Sequence, residues 1–288
     1  MKTNDIVLRD PYVILHEGKY YMYGTRSLLC WKKPQDISTQ GFDVYVSEDL
    51  ENWSDPIEVF KRPNDFWADK NFWAPEVHLY KGEFYMFATF IGEGKCRGTQ
   101  ILKATSPLGP FTVHSPKPIT PPDWECLDGT LYIDKKGVPH MVFCHEWVQI
   151  KDGTVSAVQL SEDLKQPVGK PWDLFCASQP KWADKNADRY VTDGPCFYRT
   201  KTGELLLFWS SLKDNQYVQA VAKSSNGDID GDWENFDELL YDTDGGHGMA
   251  FKSKEGQLYF TLHAPNINYQ EHPVFLKIED MGDKIVRL

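Results

Sequence analysis

The chain has little of what marks several large protein classes. Its six cysteines (Cys30, Cys96, Cys126, Cys144, Cys176 and Cys196) are scattered, with no C-x-x-C pair and no Cys/His cluster at zinc spacing. They read as buried or free thiols of a reducing compartment. No run of Lys or Arg is long enough to track a phosphate backbone, and the formal net charge is -11. That balance argues against a nucleic-acid partner and for a neutral ligand. No apolar run reaches membrane-spanning length, and MKTNDIVLRDPYV passes at once into a strand-like pattern, without a segment of signal-peptide type. The expectation is a cytoplasmic protein with no membrane partner. No segment of helical period is long enough to build βαβ units, which argues against an α/β sheet or barrel.

What is present is aromatic and repetitive. Phe, Trp and Tyr make up 14% of the chain, a richness suited to strands packed face to face and to sugar rings stacked on indoles. Five segments share one grammar: DPYVILHEGKYYMYGTR from Asp10, APEVHLYKGEFYMFATF from Ala74, DGTLYIDKKGVPHMVFCHE from Asp128, DGPCFYRTKTGELLLFWSS from Asp193 and HGMAFKSKEGQLYFTLHAP from His247. Each is an apolar strand, a glycine turn (Gly18, Gly82, Gly137, Gly203, Gly256) and a second strand rich in apolar or aromatic residues. Their starts lie roughly 52 to 66 residues apart, the length of a four-stranded blade. The prediction is an all-β, five-bladed β-propeller occupying residues 1–288 as one domain. Residues 61–72 and 178–190 read as long surface loops.

In a propeller the first strand of each blade lines the central channel, so five entry positions face one another at one mouth. They hold Asp10, the Ala74-Pro75-Glu76 stretch, Asp128, Asp193 and the Gly246-His247-Gly248 stretch. An Asp before Pro or Gly is often only a turn residue. Three such residues at repeat-equivalent positions, crowded at one mouth, would repel one another and shift one another's pKa, an arrangement that suits a working site. Residues ending second strands face the same mouth: Arg26, Glu146 and Trp147, Trp209 with Ser210, and His263 with Asn266. Trp73, Trp147 and Trp209 are candidate sugar platforms, each with a core reading beside it.

Together, Arg9-Asp10-Pro11, Phe72-Trp73-Ala74-Pro75-Glu76, Asp128 in LDGTLYIDKKG, Asp193-Gly194-Pro195 and Gly246-His247-Gly248 resemble glycoside hydrolase family 43 along essentially the whole chain. The resemblance implies an inverting hydrolase of plant-type oligo- or polysaccharides, with arabinofuranosides or xylosides foremost and galactosides next. It implies Asp10 as general base, Asp128 as the carboxylate that tunes the acid, Asp193 in the general-acid motif, and His247 as holder of a central water or metal ion. It implies no required cofactor and leaves room for a structural Ca2+ or other ion in the central channel. The motif normally carries Glu where this chain has Asp193, one methylene shorter, so Glu146 is a second candidate acid. His145 and Trp147 would supply the apolar wall that raises a carboxyl pKa. Glu76 is a third, though a sugar-hydroxyl contact suits it better. Ser210, His263 and Arg26 are expected to touch substrate. Two alternatives stand beside this reading: a fructosidase-type five-bladed hydrolase, suggested by Arg9-Asp10-Pro11 with Glu125-Cys126, and a catalytically silent sugar-binding propeller.

Overall fold

The computed structural model describes residues 1–26 and 40–288; Cys30 lies outside them. Blade 1 is built from β1 (Arg9–His16), β2 (Lys19–Thr25), β3 (Gly41–Ser47) and β4 (Ile57–Lys61). Blade 2 has β5 (Lys70–Tyr80), β6 (Glu83–Ile91), β7 (Gly98–Ala104) and β8 (Thr112–Val113). Blade 3 has β9 (Cys126–Ile133), β10 (Pro139–His145), β11 (Thr154–Leu160) and β12 (Pro167–Cys176), with a one-turn helix α1 (Trp147–Ile150) after β10. Blade 4 has β13 (Asp193–Arg199), β14 (Leu205–Lys213), β15 (Gln216–Ser224) and β16 (Trp233–Asn235). Blade 5 has β17 (Gly246–Lys252), β18 (Leu258–Ala264), β19 (His272–Asp280) and β20 (Ile285–Arg287).

Each blade is a four-stranded antiparallel meander in sequence order. The first strands touch in a ring, β1 to β5, β9, β13, β17 and back to β1. The five-bladed expectation therefore matches the fold. All five hairpin glycines carry positive φ, Gly18 at 77°, where a side chain would be strained. The loop expected over 61–72 is shorter, because β5 starts at Lys70, which pairs with Ile91.

Burial on both faces explains why the middle strands read as unbroken apolar runs rather than alternating ones. In β14, Leu205, Leu207 and Trp209 pack against Val142, Val155 and Phe175 of blade 3. Leu206 and Phe208 point the other way, onto Phe260 and Leu262 of blade 5. Every blade seam has such a cluster, that between blades 1 and 2 holding Phe42, Phe60, Phe72 and Phe90. Trp209, a candidate platform, is fully buried in one of them. Burying an aromatic of this size is worth about 2–3 kcal/mol, so its core role outweighs a sugar contact.

Candidate active site

Each first strand carries the same bulge where it opens, and the bulge builds the site. Ladder pairing breaks between Arg9 and Tyr12, Trp73 and Glu76, Leu127 and Thr130, Asp193 and Cys196, and Gly246 and Met249. Inside each break one residue has positive φ: Asp10 (54°), Ala74 (44°), Asp128 (57°), Gly194 (51°) and His247 (53°). Pro or Gly follows each, where the bulge removes the ladder bond that an N–H would have made. Left-handed backbone at a non-glycine residue costs of order 1 kcal/mol, and such strain collects at working sites.

The register corrects one expectation. Asp193 is not equivalent to Asp10 and Asp128; Gly194 is, and Asp193 stands one residue earlier, level with Arg9, Trp73, Leu127 and Gly246. A Cβ on Gly194 would lie 2.6 Å from His247 Cδ2 and 2.7 Å from its Cγ. A carboxylate at Gly194's place would leave the His247 ring no room.

Second strands lock this ring of entry residues. The residue opposite the break in one blade binds the entry amide of the next. Ala74 N donates to Thr25 Oγ1 (2.7 Å), Asp128 N to Thr89 Oγ1 (2.9 Å), His247 N to Ser210 Oγ (2.7 Å) and Asp10 N to His263 Nδ1 (3.2 Å). Blade 3 has Cys144 at this position, a poor acceptor, and Gly194 N donates instead to Asp128 Oδ2 at 3.0 Å.

Asp10, Asp128, Asp193, Glu146, Trp73, Trp147 and His247 line one pocket of about 280 Å³, together with Arg9, Thr25, Arg97 and Tyr217. His247 Nδ1 lies 3.2 Å from Asp10 Oδ1 and 3.7 Å from Asp128 Oδ2. Burial works against a charge on His247, but Asp10, Asp128 and Asp193 outweigh it and raise its pKa. Burial also pushes Asp10 upward, yet His247, Arg9 and the Thr25 hydroxyl, which donates to Oδ2 at 2.6 Å, hold it below the usual carboxylate range. Asp128 moves the other way, up to about 7, through burial first and then repulsion from Asp193 and Asp10. Asp193 is raised too, by burial first, although Tyr217 Oη donates to its Oδ2 at 3.0 Å. The pocket thus sets a carboxyl with a lowered pKa opposite two with raised ones, the separation that acid/base work needs.

Glu146 lines the pocket but is clamped by Arg97. A group that must deliver a proton cannot also serve as the ionised partner of a guanidinium, so Arg97 argues against Glu146 as acid. The Arg97 guanidinium lies 4.9 Å from the centre of the Trp73 ring, and Arg189 sits at the same distance from Trp147. Both tryptophans therefore stay at the mouth, as expected, with one ring face of each occupied by a cation.

Four expected substrate contacts are elsewhere. Arg26 forks onto Asp43 (2.7 and 2.6 Å) and reaches Glu58 (3.1 Å), tying β2 to β3 and β4. Ser210 and His263 are wholly buried in the amide-binding ring. Burial, aided by Arg9, pulls His263 down to about 3, so it is neutral and accepts from Asp10 N rather than pairing as a cation. Glu76, two residues past the bulge, lies deeper in the channel beside His78 Nε2 at 3.2 Å. Asn266 accepts from Arg9 Nη1 at 2.9 Å, and Arg9 also holds Glu271 Oε1 at 2.9 Å. Among the described residues no group of three or more His, Cys, Asp or Glu is arranged to hold a metal ion. His247 faces two carboxylates at hydrogen-bond and ion-pair range.

Arg97 and Tyr217 were missed by reading the sequence. Third strands start at the same end as first strands, so Arg97, just before β7, and Tyr217, the second residue of β15, were legible by position; no motif marks them.

The family model for glycosyl hydrolases family 43 matches residues 5–279. This chain belongs to that family. Membership and the single motif order leave the fructosidase-type alternative without support. Among solved structures, an endo-arabinase from Bacteroides thetaiotaomicron VPI-5482 is 39% identical, covering 97% of this chain and 96% of that one with a TM-score of 0.87. An endo-1,4-beta-xylanase from the same organism is 22% identical over 100% of this chain and 96% of that one, TM-score 0.80, a likeness of fold alone. The extracellular exo-alpha-(1->5)-L-arabinofuranosidase ArbA of Cellvibrio japonicus (strain Ueda107) is 26% identical over 181 residues, 57% of this chain and 47% of that protein. The match spans about half the length of that curated relative.

Proposed function

We propose that this family 43 protein hydrolyses α-L-arabinofuranosidic linkages of an arabinan-type polysaccharide with inversion at the anomeric carbon. The observation that carries the reading is the opposite displacement of two carboxyls in one pocket: Asp10 below its usual range and Asp193 above it. Asp10 takes a proton from water as the water oxygen bonds to the anomeric carbon, and Asp193 gives its proton to the glycosidic oxygen as that C–O bond breaks. The two then exchange protons with solvent. Inversion needs about 6.5–9.5 Å between base and acid to admit the water, and a pocket of about 280 Å³ has room for it. Asp128 accepts from Gly194 N and so holds the residue next to Asp193 in place, while burial and the charge on Asp10 keep Asp193 above its usual range. Trp73 and Trp147 supply ring faces at the rim.

The sugar is read from likeness. The endo-arabinase at 39% identity and TM-score 0.87 favours arabinofuranose over xylose or galactose. The test compares nitrophenyl α-L-arabinofuranoside, β-D-xyloside and β-D-galactoside with linear arabinan, xylan and galactan, using wild type and Asp10→Asn. Arabinan is expected to be cleaved, with a loss of at least about 10²-fold in the variant. Xylan or galactan cleaved faster would overturn the sugar; binding without turnover on any of them would make the chain a sugar-binding propeller.

A further inference from the structure

A second concavity lies outside the catalytic pocket. It is a groove of about 580 Å³ down the seam of blades 2 and 3, walled by proline rings including Pro118, Pro121 and Pro171, with the Trp67 indole at one edge. Its size is in the roughly 300–1,000 Å³ range of ligand sites. The charge of its lining is one-sided: Lys95, Arg97, Lys117 and Lys170 and no carboxylate, on a protein of net charge -11. Lys95 Nζ lies 5.4 Å from the Trp67 ring centre, and none of the three lysines has an ion pair among the described residues. Unopposed cations on an acidic protein mark where an anion approaches. Arg97 lines both this groove and the catalytic pocket, so the two concavities are neighbours that meet at its side chain.

We propose that this groove binds a uronate-bearing stretch of the polysaccharide whose neutral linkages enter the catalytic pocket. The inference rests on the arabinan reading for the identity of the polymer. Apolar faces of sugar rings lie on the prolines and Trp67, and ring carboxylates pair with Lys95, Lys117 and Lys170. Arg97, held by Glu146, marks the passage between the two sites.

The test is binding read without turnover. Trigalacturonate is titrated by calorimetry at low and high salt against wild type, the exposed triple variant Lys95→Gln/Lys117→Gln/Lys170→Gln, and Trp67→Ala, with arabinotriose and a short oligothymidylate as neutral and anionic controls. Loss of three exposed ion pairs is expected to weaken trigalacturonate binding roughly tenfold, with a similar loss at high salt. Hydrolysis of nitrophenyl α-L-arabinofuranoside should be unchanged in the triple variant. Trp67→Ala should weaken trigalacturonate without changing the salt dependence. Trigalacturonate binding that the triple variant leaves intact, or oligothymidylate bound as tightly, would overturn the proposal. Weakened uronate binding supports the groove even where no arabinofuranoside is cleaved, so failure of the two readings is told apart.

Discussion

Gly194→Ala puts the geometry of the site under the sharpest strain. The substitution does two things at once. It places a side chain on a residue with φ of 51°, which costs about 1–3 kcal/mol and lowers Tm by a few degrees. It also drives a Cβ to within 2.6 and 2.7 Å of the His247 ring, where ordinary contact begins near 3.4 Å, so the ring must move by about 0.8 Å or more. His247 Nδ1 stands 3.2 Å from Asp10 and 3.7 Å from Asp128. Moving it loosens the charge that keeps Asp10 ionised, and misplacement near 1 Å costs about 10²-fold in kcat. The control is Gly18→Ala, with φ of 77° but nothing within 4 Å of its Cβ: backbone strain without the clash. Melting curves should show a loss of stability in both variants, the larger one in Gly194→Ala because the clash adds to the strain. Arabinofuranoside hydrolysis at saturating substrate should fall about 10²-fold in Gly194→Ala alone. Activity of the folded Gly194→Ala within threefold of wild type would refute the role given to His247.

The pH profile and four further substitutions follow from the same contacts. On the proposed roles activity needs Asp10 ionised and Asp193 protonated, so kcat/KM should fall as pH rises through the raised pKa of Asp193, above the usual carboxylate range; a flat profile to pH 9 would contradict it. Thr25→Val removes the hydroxyl that lowers Asp10, so the acid limb should move to higher pH, and the unpaired Ala74 N should cost about 1–3 kcal/mol in chemical denaturation. Asp193→Asn should lose far more activity on arabinan than on a nitrophenyl arabinofuranoside, whose leaving group needs little protonation; Glu146→Gln should show no such split. Arg26→Ala should lower Tm and leave KM within twofold, since Arg26 ties β2 to β3 and β4 away from the pocket.

The blades were legible because both signals are local: a glycine turn every blade, and apolar runs that only strands buried on two faces require. Asp10, Asp128, Asp193, Glu146, Trp73, Trp147 and His247 were found because blade order puts entry residues and second-strand ends at one mouth. Contact was harder to read than direction. Ser210, His263 and Arg26 do end second strands, yet hydrogen bonds between neighbouring blades and ion pairs within one, invisible in a linear pattern, take them out of the pocket. The one-residue offset of Asp193 was hidden as well, because Asp-Gly-Pro and Asp-Pro look alike until the bulge register assigns the left-handed position to Gly194. What sets Glu146 apart from Asp193 was hidden too, because its partner Arg97 comes from another blade.

Inversion by Asp10 and Asp193 is tested most directly by the anomer of the first product. Proton NMR of arabinan digestion should show β-configured reducing ends before mutarotation, and none with Asp10→Asn. First-formed α-configured ends, or unchanged cleavage by Asp10→Asn, would contradict it.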